Sequence, residues 1–137
     1  MRIIITCILI YIIGFTSCFQ SENKIVNVNN DIYTAEVIFN DSIHDFGTLS
    51  GDSLIKSYDF IYTNTGNVPA VVLTAVTSCN CTSVKYFKEP ILPGQSNKIT
   101  VIYDGTNDNS GYFNKSIKIR FNSPKIYNLK IQGRCQN

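Results

Sequence analysis

Apolar and polar residues alternate with a period of two along most of the chain beyond its N-terminal quarter, a pattern that predicts β-strands. In Leu54–Thr63, the side chains of Tyr58, Phe60 and Tyr62 share one face. In Phe113–Phe121, large apolar residues recur on one face and polar residues on the other. No stretch of the length that a helix needs shows helical periodicity. The pattern therefore predicts an all-β protein.

Turn residues divide this region into short segments, and Asn64–Asn67 is a clear turn. Gly47 is expected to end the second segment, while the almost entirely apolar fourth segment predicts a central strand buried on both sides or covered by loops. Segments of this length and spacing are typical of an immunoglobulin-like antiparallel β-sandwich of about seven to eight strands, here over residues 35–137. The predicted strands are Glu36–Phe39, Ile43–Phe46, Leu54–Thr63, Ala70–Val76, Thr82–Phe87, Lys98–Tyr103, Phe113–Phe121 and Tyr127–Ile131.

The first eighteen residues have the organisation of an export signal. Arg2 precedes the apolar run Ile3–Phe15, which is too short to cross a bilayer and matches the hydrophobic region of a secretory signal. Small residues and then Cys18 follow, an order that resembles the lipobox of bacterial lipoproteins. We therefore expect a signal peptide over residues 1–17 and a lipid on Cys18, which would tether the protein to a membrane.

The segment after Cys18, up to residue 34, is rich in Asn and Ser with little apolar patterning. This composition predicts a flexible tether between the lipid and the folded domain. The sequence thus predicts an exported outer-membrane lipoprotein of a Gram-negative cell envelope, facing either the periplasm or the cell surface.

Composition and charge narrow the class of partner. Hydrophobic residues make up 44% of the 137 residues and charged residues 16%, which fits one globular domain with a real core. The formal net charge is +2, and the basic residues are scattered without a Lys/Arg cluster. We therefore expect no nucleic-acid partner.

No set of residues in the sequence supports catalysis. His44 is the single histidine, without a recognisable nucleophile or further metal ligands beside it. No paired acid and base occur in a known motif. The sequence therefore predicts a protein that is not an enzyme and has no cofactor. Asp41-Ser42 and Asp52-Ser53 resemble the acceptor of some Gram-negative O-glycosylation systems, which leaves glycosylation open.

The most distinctive feature is a C-x-C pair, Cys79 and Cys81, with Cys135 far downstream. In an immunoglobulin-like topology, the strand before the pair and the last strand flank the strand Phe113–Phe121 and run antiparallel to it. All three sulfurs are therefore expected at one end of the sandwich. Strands separated by a third lie about 10 Å apart, whereas a disulfide needs Cα atoms within about 7 Å, so the C-x-C loop would have to curl over.

Four interpretations of these cysteines remain open. The favoured one is a structural disulfide from Cys135 to Cys79 or Cys81, which an oxidising compartment allows. The others are thiols that are free or bonded to each other without a role, a thiolate metal site best suited to Cu(I), and redox exchange. Redox dithiols are usually C-x-x-C at a helix N-terminus, a context that is missing here.

Four segments of the sequence resemble the bacterial family called domain of unknown function fifteen-seventy-three: HDFGTLSGD, YDFIYTNTGNVPAVV, SCNCTSVKYFKEPILPGQSNKITVIYD and GYFNKSIKI. The likeness covers about residues 36–133. Asn80 departs from the family signature, where Gly is usual, and Cys135 is an addition without a family role. Residues that fit the signature S-C-G-C-T, Pro-Gly, Gly-x-Phe-x-Lys are Ser78, Cys79, Cys81, Thr82, Pro93, Gly94, Gly111, Phe113 and Lys115.

This resemblance implies an exported protein, often a lipoprotein, with a sandwich like those of Hydin-like and major-sperm-protein-like domains. The family has no settled activity, so function stays open. We predict a non-enzymatic binding or structural module with a protein or glycan partner in the envelope; the alternative is copper binding or redox exchange at the C-x-C pair. The expected binding surface comprises the polar loop Asp104–Gly111, with Asp104, Asn107 and Asp108, and the strand face carrying Asn114, Lys118 and Arg120.

Overall fold

A computed structural model of the protein describes residues 34–51 and 54–136. These residues belong to one compact unit, residues 32–137. The predicted signal peptide, the lipidated Cys18, the tether up to residue 33 and the Asp52-Ser53 motif lie outside the described residues. Within the described part of the chain, no helix is long and apolar enough to cross a bilayer.

The described residues form β-strands connected by turns and short loops, as the alternating pattern predicts. The eight strands in this part of the chain are β1 (Val37–Phe39), β2 (Ile43–Ser50), β3 (Ile55–Asn64), β4 (Val72–Thr77), β5 (Thr82–Tyr86), β6 (Ser96–Asp104), β7 (Gly111–Phe121) and β8 (Ile126–Gln136).

The strands pair into two four-stranded sheets that form the sandwich. The first sheet has the order β1-β3-β6-β5 and the second has the order β2-β8-β7-β4. Every pair is antiparallel except β2 and β8, which run parallel. The predicted all-β, immunoglobulin-like sandwich is confirmed, with this one parallel pair as a departure from a purely antiparallel arrangement.

The core lies between the sheets and follows the predicted alternation. Phe60 and Tyr62 of β3 are buried, as are Phe113 and Ile117 of β7, whereas alternate residues of β7 such as Asn114 and Lys118 are exposed. Burial of alternate apolar side chains from both sheets excludes water and drives their association. The alternating strands therefore bury the faces that the sequence predicts.

An aromatic cluster joins the two sheets at the end of β7. The Phe121 ring lies 5.1 Å from the Tyr62 ring, 5.5 Å from that of Tyr127 and 6.3 Å from that of Phe39, measured between centroids. The rings are tilted or edge-to-face, the arrangements that aromatic quadrupoles favour. Residues of both sheets therefore share one packed centre.

The prediction that the fourth segment is a central, doubly buried strand is wrong. β4 forms an edge of the second sheet. Val72 is buried, but Leu73 and Val76 are 50% and 59% exposed, and the pairing with β7 is irregular between Val72 and Thr74. A strand at an edge has a neighbour on one side only, so part of an apolar segment remains in contact with solvent.

The predicted end of the second strand at Gly47 is also wrong. β2 continues to Ser50, and its register with β8 shifts between Asp45 and Thr48. Gly47 adopts a φ of 69°, which costs glycine little because it has no Cβ. The strand therefore bends at Gly47 and resumes, and it buries Leu49 beyond the bend.

Candidate functional site at the disulfide end of the sandwich

The C-x-C pair lies in the connection between the edge strands β4 and β5, one from each sheet. Cys79 and Cys81 are joined by a disulfide, with their Cα atoms 5.2 Å apart. Both cysteines are half-buried and Asn80 between them is exposed. The hydroxyl oxygen of Thr82 lies 3.4 Å from the Cys79 sulfur. This disulfide fixes a short turn at one end of the sandwich, which we call the disulfide end.

The favoured disulfide between Cys135 and the C-x-C pair is not the one in the structure. Cys135 has a free thiol and is buried, while the mutually bonded alternative describes Cys79 and Cys81. Cys135 points into the core from β8, and β7 separates β8 from the strand that precedes the pair. In this disulfide form, Cys79 and Cys81 offer no thiolate to a copper ion. Within residues 34–51 and 54–136, no group of three or more His, Cys, Asp and Glu residues could hold a metal.

The predicted convergence of the cysteines at one end of the sandwich agrees with the topology. β4 and β8 both flank β7 and both run antiparallel to it. The carbonyl oxygen of Cys81 accepts a hydrogen bond from the backbone N–H of Asp104. A Cβ atom on the next residue, Gly105, would lie 3.1 Å from the Cys135 sulfur. Asp104 at the end of β6 and Gly105 just after it thus contact the disulfide turn and the free thiol, respectively.

Tyr103 links Cys135 to the loop that follows β6. Its ring is buried and stacks on the Phe113 ring, with 4.1 Å between centroids. Its hydroxyl donates to Asp108 at 2.7 Å and lies 3.3 Å from the Cys135 sulfur. The Lys115 ammonium forms an ion pair with the same Asp108 carboxylate at 2.9 Å. A continuous set of polar contacts therefore runs from the core to the surface.

The surroundings of Tyr103 and Asp108 fix the protonation of both groups at neutral pH. Burial, reinforced by the hydrogen bonds with Cys135 and Asp108, raises the pKa of Tyr103 above its usual value. The contacts with Lys115 and then with the Tyr103 hydroxyl lower the pKa of Asp108. Tyr103 therefore stays protonated as the donor and Asp108 stays ionised as the acceptor, so the loop keeps its attachment to the core.

The start of the same loop is held by Asp104. Its carboxylate accepts hydrogen bonds from the hydroxyl of Thr106 at 2.6 Å and from the backbone N–H of Thr106 at 3.0 Å. These two bonds lower the pKa of Asp104 below its usual value, the side-chain bond contributing most. Such a local turn is a common role of Asp at the end of a strand. The polar loop predicted as a binding surface is therefore ordered by its own side chains.

A cleft of about 210 Å³ lies between this loop and the disulfide turn. The three loop residues predicted as part of a binding surface come together here with residues of the C-x-C turn. The cleft is lined by Asn80, Cys81, Asp104, Asn107 and Asp108. The predicted loop and the cysteine pair are thus two walls of one site, although they are separate features in the sequence.

The other half of the predicted surface does not belong to this cleft. Asn114, Lys118 and Arg120 are exposed on the outer face of the second sheet, along β7. Arg120 lies roughly 30 Å along β7 from Gly111, at about 3.3 Å per residue. The structure therefore divides the predicted binding surface between the cleft and a sheet face.

A family model described as "Protein of unknown function (DUF1573)" matches residues 37–135 of the chain. The chain belongs to this family. No curated protein matches the chain.

Solved structures share the fold of this DUF1573 domain. A protein of unknown function from Porphyromonas gingivalis W83 has a TM-score of 0.65 at 18% identity, over 74% of this chain and 47% of that one, so this chain spans about half of its length. The periplasmic chaperone SfaE has a TM-score of 0.56 at 8% identity, over 74% of this chain and 59% of that one. The PapD-like domain 7 of human CEP192 has a TM-score of 0.57 at 8% identity, over 76% of this chain and 87% of that one. At these identities the likeness concerns the immunoglobulin-like, PapD-like fold alone.

Most of the DUF1573 signature residues in this chain lie at the disulfide end. Besides the disulfide itself, Phe113 stacks on Tyr103 and Lys115 pairs with Asp108. The hydroxyl oxygen of Ser78 accepts a hydrogen bond from the backbone N–H of Ser116. The Pro-Gly turn lies elsewhere, next to the end of β3. These motif positions are recognisable in the sequence. Tyr103 is not, because its period-two position indicates burial and carries no information about the contacts of its hydroxyl group.

Asp41-Ser42 and His44 lie on a different edge of the sandwich. Both residues of the first predicted glycosylation motif are exposed, and Asp41 accepts a hydrogen bond from the Tyr58 hydroxyl at 2.9 Å. His44 stacks on the Tyr58 ring at 3.6 Å, and its partial burial lowers its pKa despite the nearby carboxylates. These contacts give His44 a packing role, and glycosylation of Ser42 stays a prediction.

Proposed function

We propose that this DUF1573 domain is a non-enzymatic binding module of the cell envelope, tethered to the outer membrane by a lipid on Cys18. Its partner would be recognised at the cleft of the disulfide end. The observation that carries the proposal is the meeting of the C-x-C turn and the predicted polar loop in one cleft. Loops presented by a rigid sandwich are a common location of binding residues.

Both walls of the cleft are fixed before any partner arrives. The disulfide holds one wall, and the contacts of Asp104 and Asp108 hold the other. A surface that is ordered in advance loses less conformational entropy on binding, which favours affinity. The cleft is therefore a better candidate for recognition than an unconstrained surface loop.

The size and chemistry of the cleft suit a group of one side chain or one sugar ring. Its volume of about 210 Å³ is smaller than the roughly 300–1,000 Å³ typical of small-molecule pockets. Its two aspartates accept hydrogen bonds and its two asparagines both donate and accept them. A partner with hydroxyl, amide or ammonium donors would match this lining.

Site-specific photo-cross-linking in native cells tests the binding proposal. A photoreactive residue in place of the exposed Asn107 is expected to give a discrete adduct, because it lines the cleft. The same residue in place of Asn67, exposed in the turn after β3 at the other end of the sandwich, is the control and should give none. Equal adducts from both positions, or none from Asn107, would contradict recognition at the cleft.

In the same cells, a Cys18→Ser variant retained in the membrane fraction would contradict the lipid anchor.

Thiol exchange at the C-x-C pair is a second candidate, favoured by the partial exposure of both cysteines. A thiolate of a partner dithiol would attack one sulfur, forming a mixed disulfide and releasing the other sulfur as a thiolate that takes a proton. The second partner thiol would then displace the first sulfur. The partner would leave oxidised to a disulfide, and Cys79 and Cys81 would be reduced to thiols.

A trapping variant tests this exchange. In Cys81→Ala, Cys79 is a lone thiol, so the test follows the exchange in reverse: its thiolate attacks the disulfide of an oxidised partner and releases one partner sulfur as a thiolate. Because Cys81 is absent and cannot displace the partner from Cys79, the mixed disulfide is expected to accumulate as a covalent adduct that dithiothreitol releases. Cys135→Ala is the control, because its buried thiol should give no adduct and its loss should leave trapping by Cys79 intact. Absence of any reducible adduct with Cys81→Ala in native cells would rule out exchange and leave the disulfide as a structural element.

A further inference from the structure

The outer face of the second sheet gathers basic residues that are dispersed in the sequence. Lys118 and Arg120 lie two residues apart on β7, and Lys130 and Arg134 lie on β8. All four are exposed. The β7–β8 register pairs Lys118 with Asn128 and Ser116 with Lys130, so the outward residues of both strands share one surface, which we call the cationic face. Period-two geometry thus makes a patch from residues without a sequence cluster.

The charge on this face is unbalanced in the described part of the chain. Among the described residues of the cationic face, Asp45 on β2 is the one carboxylate, and it is the strand partner of Gln132. Among the described residues, ion pairs join Lys98 to Asp59 and Lys115 to Asp108. Neither pair involves one of the four cations of this face. Cations without a nearby carboxylate create a positive potential that attracts anionic groups.

An exposed aromatic ring occupies the same face. Tyr112 is 65% exposed, and its hydroxyl donates to the Gln132 amide oxygen at 3.0 Å. The Gln132 amide nitrogen donates in turn to Asp45 at 2.9 Å. Arg134 is the cross-strand neighbour of Tyr112, and Asn114 is the neighbour of Gln132. The ring is therefore held among amide and charged groups and not among apolar ones.

We propose that the cationic face binds an acidic glycan. Tyr112 offers a flat apolar surface for one sugar ring, and the side-chain amide of Asn114 can bond its hydroxyl groups. The amide of Asn128, opposite Lys118, can bond a sugar further along the glycan chain. Lys118 and Lys130 are placed to pair with carboxylate or phosphate groups along the chain. This face differs from the cleft at the disulfide end, so its ligand does not depend on recognition there.

The amide groups around Tyr112 favour a glycan over a lipid bilayer as the ligand of this face. A membrane-binding surface places large apolar side chains beside its cations, so that they enter the acyl boundary together. On this face the exposed Val76 and Ile126 lie near Lys118 and Arg120, and the exposed Ile43 is the strand partner of Lys130. These aliphatic side chains lie on three different strands, and Tyr112 lies among amides close to the other end of β7. A long polar ligand can follow the β7–β8 strands and contact both regions, whereas a bilayer gains nothing from the amides.

Binding of polygalacturonate to the purified full-length mature chain tests the proposal, with neutral dextran as the uncharged polymer. The double variant K118Q/K130Q is expected to weaken binding by about tenfold or more, because two charge-assisted contacts are lost. K85Q/K88Q removes the same charge from exposed positions on and just after β5 of the other sheet and should change affinity by less than about twofold. Tyr112→Ala should weaken binding about fivefold at unchanged charge, and Tyr112→Phe should retain most of it.

Several results would overturn the proposal. Equal weakening by K118Q/K130Q and K85Q/K88Q would mean that the polymer responds to net charge alone. An unchanged affinity in Tyr112→Ala would remove the sugar-stacking role. Binding to vesicles of phosphatidylglycerol, with none to polygalacturonate, would assign the face to a membrane. Because every substituted side chain is exposed, native near-ultraviolet circular dichroism is expected for each variant, and cross-linking at Asn107 would remain a separate test of the cleft.

Discussion

Phe121→Ala is expected to lower the free energy of unfolding by about 3–5 kcal/mol. Phe121 is fully buried at the end of β7, and its ring packs against Tyr62 of the first sheet and Tyr127 of the second. Truncation to Ala removes buried apolar area and leaves a cavity that the surrounding rings cannot fill without leaving their rotamers. Because the ring joins both sheets, the loss affects the whole sandwich.

Urea unfolding followed by circular dichroism measures this effect. Phe87→Ala is the matched control, since the same side chain is 55% exposed just after β5 and should cost less than about 1 kcal/mol. The comparison holds the chemistry of the substitution constant and changes only burial. If the two variants lost equal stability, or if Phe121→Ala cost less than Phe87→Ala, the assignment of the core at the end of β7 would be wrong.

The strands that sequence pattern predicted well are those with one buried and one solvated face. In β3 and β7, period two distinguishes the core side from the outer side, and residues such as Phe60 and Ile117 lie where the pattern predicts. The pattern failed for β4 because continuous apolar residues do not distinguish a central strand from an edge strand. That distinction depends on which strand pairs with which, and sequence periodicity carries no information on pairing.

Pairing also explains the other departures in the fold. The parallel pairing of β2 with β8 joins segments far apart in the chain, and nothing in Ile43–Phe46 indicates its partner or direction. Gly47 was read as a strand end because glycine is common in turns. In the structure, Gly47 permits a bend within β2. This bend depends on the pairing with β8, so the residues around Gly47 do not indicate it.

The candidate site was predicted in its parts and not in its assembly. Topology alone placed the cysteines at one end, since β4, which precedes the C-x-C pair, and β8, which carries Cys135, both flank β7. The disulfide partner depended on side-chain direction, and Cys135 faces the Tyr103 hydroxyl inside the core. The cationic face was missed for a related reason: Lys118 and Lys130 are distant in sequence, and only the hairpin register brings them together.

Asn64 illustrates a residue type whose role changes entirely with burial. The sequence analysis placed it in a turn, but it ends β3 with its side chain fully buried. Its amide nitrogen donates to the carbonyl oxygens of Val68 and Ile91, and its amide oxygen accepts from the backbone N–H of Gly66. The Gly66 N–H also donates to Glu36 and the Ile91 carbonyl also accepts from Ala70, so the Asn64 side chain adds to these bonds and joins the turn after β3 to the loop before β6.

Asn64→Ala is expected to lower the free energy of unfolding by about 1–3 kcal/mol, because three hydrogen bonds are lost and the Val68 carbonyl loses its donor. Asn67→Ala, three residues on in the same turn and exposed, should change stability by less than about 0.5 kcal/mol. Thermal and urea unfolding of the two variants compares them directly. Equal stabilities would mean that water replaces the lost amide. A large difference would show that one buried amide stabilises this end of the sandwich.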